Sequence, residues 1–385
     1  MLQTLVELMH PLLPPGAVAA RLGGDEFAIL IRSPRAEDDA LALGAKLCSI
    51  FETPVDVLGK TARLSASIGI ALYPGQARNA ADLLQKSDMA MYSKKRDGKN
   101  GAMLYDPLIQ DSTRQRAEIE SDIEAGLAND WFTIFFQPIV NLGDRSIAGF
   151  EALMRLDHPQ KGLLAPAEII RVAEETGAIS RIGNRVLEKA LANLDQLSRA
   201  TGNHQTYLAI NFSPLQFEPG LPARLATLTA RYNIRPERIV VEITEASLLD
   251  DNPQIRTILD EISRFGCRIA LDDFGTGYSS LSYLNRFPVN IVKIDQSFIR
   301  SISDTTADLR QKSRMLVEGI TAISHKMNCT VVAEGVETAE QWALLHQFGV
   351  DYGQGYFFAR PQPLSQLLET INPDTEPKQT REAVA

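Results

Sequence analysis

The chain has 385 residues, of which 44% are hydrophobic and 23% charged, and its formal net charge is −9. That length holds two or three domains, or one large barrel with an appendage, and the composition is that of a folded chain, not a disordered one. The acidic balance argues against a protein that coats DNA or RNA, but it leaves room for a small anionic ligand held through metal ions.

The opening residues, MLQTLVELMHPLLPPG, predict a short amphipathic helix ended by Pro14 and Pro15. They lack the basic start and small-residue cleavage site of a signal peptide. The run AARLGGDEFAILI alternates around Gly23 and Gly24 and predicts a hairpin with the glycines at its turn. Ala66 to Leu72 predicts another strand, and Ala80 to Lys95 a helix that stops near Gly98. The basic stretch Lys94, Lys95, Arg96 and Lys99 fits a solvated helix end. Cys48, Cys267 and Cys329 are sparse and odd in number, which gives no disulfide framework and makes a reducing, cytoplasmic setting the expectation. No run approaches the ~18 apolar residues of a membrane span. A longer parent chain could still carry an anchor or sensor.

Further along come eight strand-like runs: TIFFQPIV, IAGFEAL, YLAINF, RIVVEIT, RIALDD, NIVKID, TVVAEG and GQGYFF. Several are near-continuous apolar runs, as in parallel strands buried on both faces. Helical segments lie between them, so the expected fold is α/β, a (β/α)8 TIM-like barrel over residues 117–371. Residues 1–106 form a smaller α/β domain, 107–116 a linker, and the polar tail 372–385 reads as disordered.

Polar residues interrupt the apolar strands near their C-terminal ends: Glu151, Asn211, Glu242, Asp272 with Asp273, Lys293, Glu334 and Gln354. Strand ends of a barrel converge on one face, where active sites sit. Like charges that close cannot all ionise without cations. Two divalent ions and Lys293 would balance the five carboxylates, and oxygen donors in this number suit Mg²⁺ or Mn²⁺ better than Zn²⁺. Any one of these residues also has an ordinary reading. A strand-end Asp is often a helix cap, Glu242 and Glu245 could form an ion-paired edge, and Lys293 and Asp295 a surface pair. The full set points to a metal-dependent site. The segment DDFGTGYSSLSYL fits either a mobile lid or an ordinary βα loop.

At these residues the chain resembles the EAL family of cyclic di-GMP phosphodiesterases. The resemblance rests on Phe136–Gln137–Pro138–Ile139, on Glu151–Ala152–Leu153 followed by Arg155, and on Asn211–Phe212–Ser213. It continues through Glu242–Ile243–Thr244–Glu245, the DDFGTGYSSL loop, Val292–Lys293–Ile294–Asp295, Ala333–Glu334–Gly335–Val336–Glu337 and Gly353–Gln354–Gly355. It implies metal-dependent hydrolysis of cyclic di-GMP to linear pGpG with two cations, Mg²⁺ or Mn²⁺, and inhibition by Ca²⁺. It implies that Glu151, Asn211, Glu242 and Asp272 hold one metal, and that Asp272 bridges to a second beside Asp273 and Glu334. Lys293 would hold the attacking water, Glu334 accept its proton, and Gln354 orient a water. Gln137 and Arg155 would contact substrate, and Glu245 would anchor the loop after Asp272. Glu337 matches the pattern without a defined role. Leu156 stands where the family commonly has Trp. A homodimer through the barrel is a further expectation. The alternative is a non-catalytic cyclic di-GMP receptor.

The N-terminal region resembles a GGDEF diguanylate cyclase domain through Arg21–Leu22–Gly23–Gly24–Asp25–Glu26–Phe27, Ser67–Ile68–Gly69 and Tyr92–Ser93–Lys94–Lys95. In this family Gly23, Gly24, Asp25, Glu26 and Lys95 would face GTP and its metal. An earlier βα unit with a second metal-binding Asp is expected in such domains and is not in this sequence. Pro14 and Ala17 stand where a product-inhibition RxxD motif would fall. The resemblance therefore implies a truncated domain without cyclase activity, an exposed sheet edge, and GTP at most as a regulatory ligand.

Overall fold

The computed structural model describes residues 2–51, 55–57, 60–62, 65–96, 100–248, 252–275 and 280–371. Gly98, Lys99, residues 276–279 of the DDFGTGYSSL loop and the polar tail lie outside the described residues. The chain divides into two units, Met1–Glu118 and Ile119–Ala385.

The first unit begins with helix α1 (Leu2–Met9). The helix stops earlier than expected. Pro11 lacks an amide N–H, and the chain tightens into a 3₁₀ turn at His10–Leu12. Strands β1 (Val18–Gly23) and β2 (Glu26–Leu30) form the expected hairpin. Next come α2 (Ala36–Ser49), the short pair β3 (Val55–Val57) and β4 (Lys60–Ala62), then β5 (Ser67–Ile70), α3 (Ala80–Arg96) and β6 (Gly101–Leu104). β5 and β6 pair in parallel, and among the described residues the β1–β2 hairpin pairs with no other strand. Val18, Leu22 and Leu30 on it are exposed. Gly69 is a close-approach glycine, because a Cβ there would lie 1.8 Å from the Ser87 carbonyl oxygen of α3. Cys48, Cys267 and Cys329 are buried and form no disulfide with one another.

Helix α4 (Pro107–Asn129) occupies the stretch expected as a linker. Its isoleucines at 109, 119 and 123 recur at helical intervals among polar residues, so residues 107–116 are helical, not irregular.

The second unit is a closed barrel. Its strands are β7 (Phe132–Asn141), β8 (Ile147–His158), β10 (Tyr207–Asn211), β11 (Ile239–Thr244), β12 (Arg268–Phe274), β13 (Ile291–Ile294), β14 (Thr330–Ala333) and β15 (Tyr352–Gly353). Small strands β9 (Gly162–Leu164) and β16 (Gln362–Pro363) pair at the rim. The outer helices are α5 (Pro166–Thr176), α6 (Ile179–Thr201), α7 (Leu221–Arg231), α8 (Pro253–Phe265), α9 (Ser280–Arg286), α10 (Gln296–Ser301), α11 (Ala307–Lys326), α12 (Ala339–Gln347) and α13 (Leu364–Ile371). No described helix is long and apolar enough to cross a membrane.

Seven barrel strands are parallel, but β7 runs antiparallel to both β8 and β15 and closes the ring between them. The expected TIM-like barrel of eight strands is thus present, with its first strand reversed. Only residues 142–146 join β7 to β8, too few for a parallel crossover, which needs a dozen or more. The Asn141 side chain accepts the Gly143 amide and tightens that turn. The eighth strand is also shorter than GQGYFF suggested, because the chain turns immediately after Gly353.

Alternation sorts the strand residues into two environments. Leu208, Ile210, Ile239, Val241, Ile243, Ile269, Leu271 and Val292 pack outward against the helices in the main core. Ala209, Val240, Ala270, Ile291 and Val332 belong to a separate cluster that fills the barrel with Ile139 and Tyr207. Two residues beyond each of those five comes a polar one: Asn211, Glu242, Asp272, Lys293 and Glu334. The period of two thus sends each of these side chains inward, one layer above the apolar plug.

Candidate active site

Gln137 of β7, Glu151 of β8 and Gln354 after β15 complete this polar layer, so each of the eight barrel strands supplies a member. Lys293 lies at its centre and is 1% exposed. Its Nζ is 2.7 Å from Glu334 Oε1, 3.1 Å from Glu242 Oε2, 3.2 Å from Asp272 Oδ2 and 3.7 Å from Glu151 Oε2. An ammonium has three donors, so it cannot satisfy four carboxylates fully.

Amides hold the remaining oxygens. Asn211 Nδ2 donates to Glu151 Oε1, and Gln354 Nε2 donates to Glu151 Oε2, each at 2.6 Å. Gln354 Nε2 also lies 2.9 Å from Gln137 Oε1, and Gln137 Nε2 donates to the Ala359 carbonyl. The backbone around Gln354 permits this. A Cβ on Gly355, whose φ is +157°, would meet the Val336 carbonyl oxygen at 2.2 Å.

Burial and mutual repulsion shape the titration of the layer. Burial, then the neighbouring carboxylates, push Glu242 well above the ordinary carboxylate range against the pull of Lys293. Burial raises Glu334 to about 8, with Asp272 and Glu151 adding to the rise. Asp273 is raised by burial and then by Asp272. Glu151 is held low: burial works against ionisation, but Lys293 and the Gln354 and Asn211 amides outweigh it. Burial would lower Lys293, yet the fields of Asp272, Glu151, Glu242 and Glu334 raise it well above a free lysine.

Asp272, Asp273 and Glu334 each place a carboxylate oxygen within 4.8 Å of the others. These are hard donors suited to a divalent cation, and a cation would relieve the repulsion that raises Asp273 and Glu334. Asp272 and Asp273 adjoin a bulge between Leu271 and Phe274, and Asp273 has a φ of +54°. Glu245 is 1% exposed, and its Oε2 accepts the Gly275 amide just beyond them.

Arg155 stands toward the rim, with Nη1 on the Met154 carbonyl and its guanidinium 5.5 Å from the centroid of the Phe135 ring. Leu156 is fully buried in the core. Glu337 is not part of the cluster; it is exposed, and its carboxylate lies 3.8 Å from Arg300 Nη2. In the first unit, Gly23, Gly24, Asp25 and Glu26 are exposed at the hairpin turn, where Arg21 binds the Gly24 carbonyl, and Lys95 is exposed on α3.

The EAL domain family matches residues 120–361. The chain belongs to that family. The diguanylate cyclase GGDEF domain family matches residues 1–101. The bifunctional diguanylate cyclase/cyclic di-GMP phosphodiesterase MucR of Pseudomonas aeruginosa is 36% identical over 353 residues, covering 91% of this chain and 50% of that protein. The chain spans about half the length of the curated relatives it matches. Among solved structures, the EAL domain resembles that of the PaMucR phosphodiesterase in complex with c-di-GMP. The two are 34% identical with a TM-score of 0.60, over 65% of this chain and 99% of that one. The EAL enzyme Bd1971, with cAMP and cyclic di-GMP bound, is 33% identical with a TM-score of 0.63, over 68% of this chain and 70% of that one.

Proposed function

We propose that the EAL barrel hydrolyses cyclic di-GMP to linear 5′-pGpG with two divalent cations, Mg²⁺ or Mn²⁺. The observation that carries the reading is the ring of carboxylates and amides around the buried Lys293, within a family whose phosphodiesterase relative is solved with c-di-GMP. Glu151, Asn211, Glu242 and Asp272 would hold one cation, and Asp272, Asp273 and Glu334 the other. Bound cations would supply positive charge to the phosphoryl oxygens and acidify water. Lys293, fixed by four carboxylates, keeps a positive charge where an incoming water and a phosphate oxygen can lie. Glu334 accepts the proton of the attacking water, and Gln354 orients that water through its unpaired Oε1. Water oxygen bonds to phosphorus as its proton passes to Glu334, the bond from phosphorus to one 3′ oxygen breaks, and that oxygen takes its proton from solvent. Gln137 and Arg155 border the substrate. Glu245 fixes the start of the loop after Asp273.

We assign no cyclase activity to the first unit. Its signature residues Gly23, Gly24, Asp25 and Glu26 are exposed on the β1–β2 hairpin.

The test is incubation of the full chain with cyclic di-GMP and Mg²⁺ or Mn²⁺, following pGpG. Wild type should turn substrate over, EDTA and Ca²⁺ should stop it, and Glu151→Ala should lower kcat at least a thousandfold. GTP should yield no cyclic di-GMP. Binding without hydrolysis, or wild-type rates in Glu151→Ala, would overturn the assignment.

A further inference from the structure

The segment after β14, Glu334 to Thr338, belongs to no helix or strand, so no ladder of backbone bonds holds Glu334 in place. Single anchors hold it instead. The Glu334 amide donates to the Ile294 carbonyl, and the Val336 amide to that of Gln354. Further on, the Glu337 and Thr338 amides both donate to Gln341 Oε1, at 2.8 and 3.1 Å. Gln341 lies in the first turn of α12 and is 4% exposed. Thr338 Oγ1 accepts the Gln341 amide in return, which completes a capping box.

A capping box needs only an acceptor at this position, and glutamate serves as well as glutamine. The amide nitrogen of Gln341 makes a second connection. Nε2 donates to the Ile299 carbonyl at 3.2 Å and to Ser303 Oγ at 3.4 Å. An amide side chain has two acceptor sites and two donor hydrogens, and Gln341 uses all four. Ile299 is fully buried in α10, the helix that begins three residues after Lys293. Gln341 therefore joins the segment behind Glu334 to the helix behind Lys293. Those two side chains meet in the site, at 2.7 Å. An ionised carboxylate could not make this link, because it has no hydrogen to donate.

We infer that Gln341, by bridging the Glu337–Thr338 backbone to the Ile299 carbonyl, is a positioning residue that sets where the Glu334 carboxylate stands against Lys293. This rests on the phosphodiesterase reading above, in which Glu334 takes the proton of the attacking water. Gln341 acts only through the backbone and takes no part in bond breaking.

The experiment separates the bridge from the cap. kcat and KM for cyclic di-GMP with Mg²⁺ are measured on the full chain at pH 8.5, well below each variant's own Tm. Gln341→Glu, ionised at that pH, keeps both accepted amides and loses the donor to Ile299. Gln341→Met matches the side chain in length and loses cap and bridge together. Thr338→Val loses the cap and keeps the bridge. Misplacing a reacting group by ~1 Å costs about a hundredfold, so Gln341→Glu should lower kcat by about tenfold to a hundredfold, with KM within about twofold. Gln341→Met should fall at least as far, and it carries the test if the buried charge of Gln341→Glu prevents folding. Thr338→Val should lower Tm while kcat stays within about twofold of wild type. A fall in kcat that follows the fall in Tm across all the variants, Thr338→Val included, would overturn the assignment by making Gln341 a cap alone. A rise in KM at unchanged kcat would overturn it as well. If wild type cleaves cyclic di-GMP and Gln341→Glu does so at the same rate, only this inference fails. If wild type does not cleave cyclic di-GMP, the phosphodiesterase reading fails and this one falls with it.

Discussion

Replacing Lys293 with methionine isolates the electrostatics of the barrel. Lys293 is the one lysine or arginine among the buried residues described, and its Nζ lies between 2.7 and 3.7 Å from four carboxylates. At an effective dielectric of about 20, one unit pair at ~4 Å is worth ~4 kcal/mol before desolvation is subtracted. Removing one partner of a buried pair costs roughly 3–5 kcal/mol, because the other charge stays buried and uncompensated. For a domain of this size ~1 kcal/mol moves Tm by about 2–4 °C, so Lys293→Met should lower Tm in EDTA by roughly 6–20 °C. The penalty should also depend on pH. Glu334 has a folded-state pKa of about 8, above its ordinary value, so the folded protein binds that proton more tightly than the unfolded chain. Its contribution is full below the ordinary carboxylate range and is lost as pH rises through about 8. Removing Lys293 pushes the carboxylates further the same way, so the Tm deficit should be larger at pH 8.5 than at pH 5.5. Divalent cations supply the missing positive charge, so the Tm gain on adding Mg²⁺ should be larger in the variant than in wild type. Differential scanning calorimetry with EDTA and with MgCl₂ at both pH values measures all three effects. A variant as stable as wild type in EDTA at pH 8.5, with no larger metal gain, would refute the view of Lys293 as a built-in counterion.

Glu245→Ala removes a buried acceptor of the Gly275 amide, and kcat/KM for cyclic di-GMP should fall at least tenfold. Glu245→Gln can still accept that amide and should recover part of the loss; equal activity of both variants with wild type would remove the anchoring role. Burial pushes the Cys267 thiol up to about 12 and raises that of Cys329. The protonated form is therefore favoured in the fold, and the contribution of Cys267, about 4 kcal/mol, should be present below about pH 9 and lost as pH rises toward 12. At pH 8, neither Cys267 nor Cys329 should react quickly with a disulfide reagent until denaturant is added, and rapid native labelling of Cys267 would contradict its burial.

The polar layer was legible because the sequence on either side of it was so apolar. In runs such as RIVVEIT and NIVKID, both faces of the strand are buried, so a single charged residue stands out against either face. Strand direction left no such trace. Phe132–Asn141 has the same apolar pattern whether parallel or antiparallel, and only the five-residue connection after it carries the information. The length of the last strand was hidden for a related reason. Tyr352 to Phe358 is apolar enough to extend a strand, yet Gly355 packs against Val336 and turns the chain. In the first unit, Gly23 to Glu26 was legible as a turn, but what its flanking strands would pair with was not.

Asp273 is the sharper case, because alternation alone argues against it. In a regular strand, adjacent residues point to opposite faces, so if Asp272 faces the site then Asp273 should face away. The strand-end pattern and the family resemblance nevertheless put both at the site. The structure reconciles them through backbone geometry: Leu271 opposes Val292 while Phe274 opposes Ile294, so three steps on β12 match two on β13. Asp273 sits at this bulge with a φ of +54°, a conformation that costs a residue with a Cβ ~1–2 kcal/mol. The fold thus spends backbone strain to bring two like charges within reach of a third, Glu334. Strain and repulsion both destabilise the metal-free protein, and a divalent cation between the three carboxylates offsets the second directly. The bulge is therefore better evidence for a metal site than the acidity of the three residues, which many exposed clusters share without binding anything.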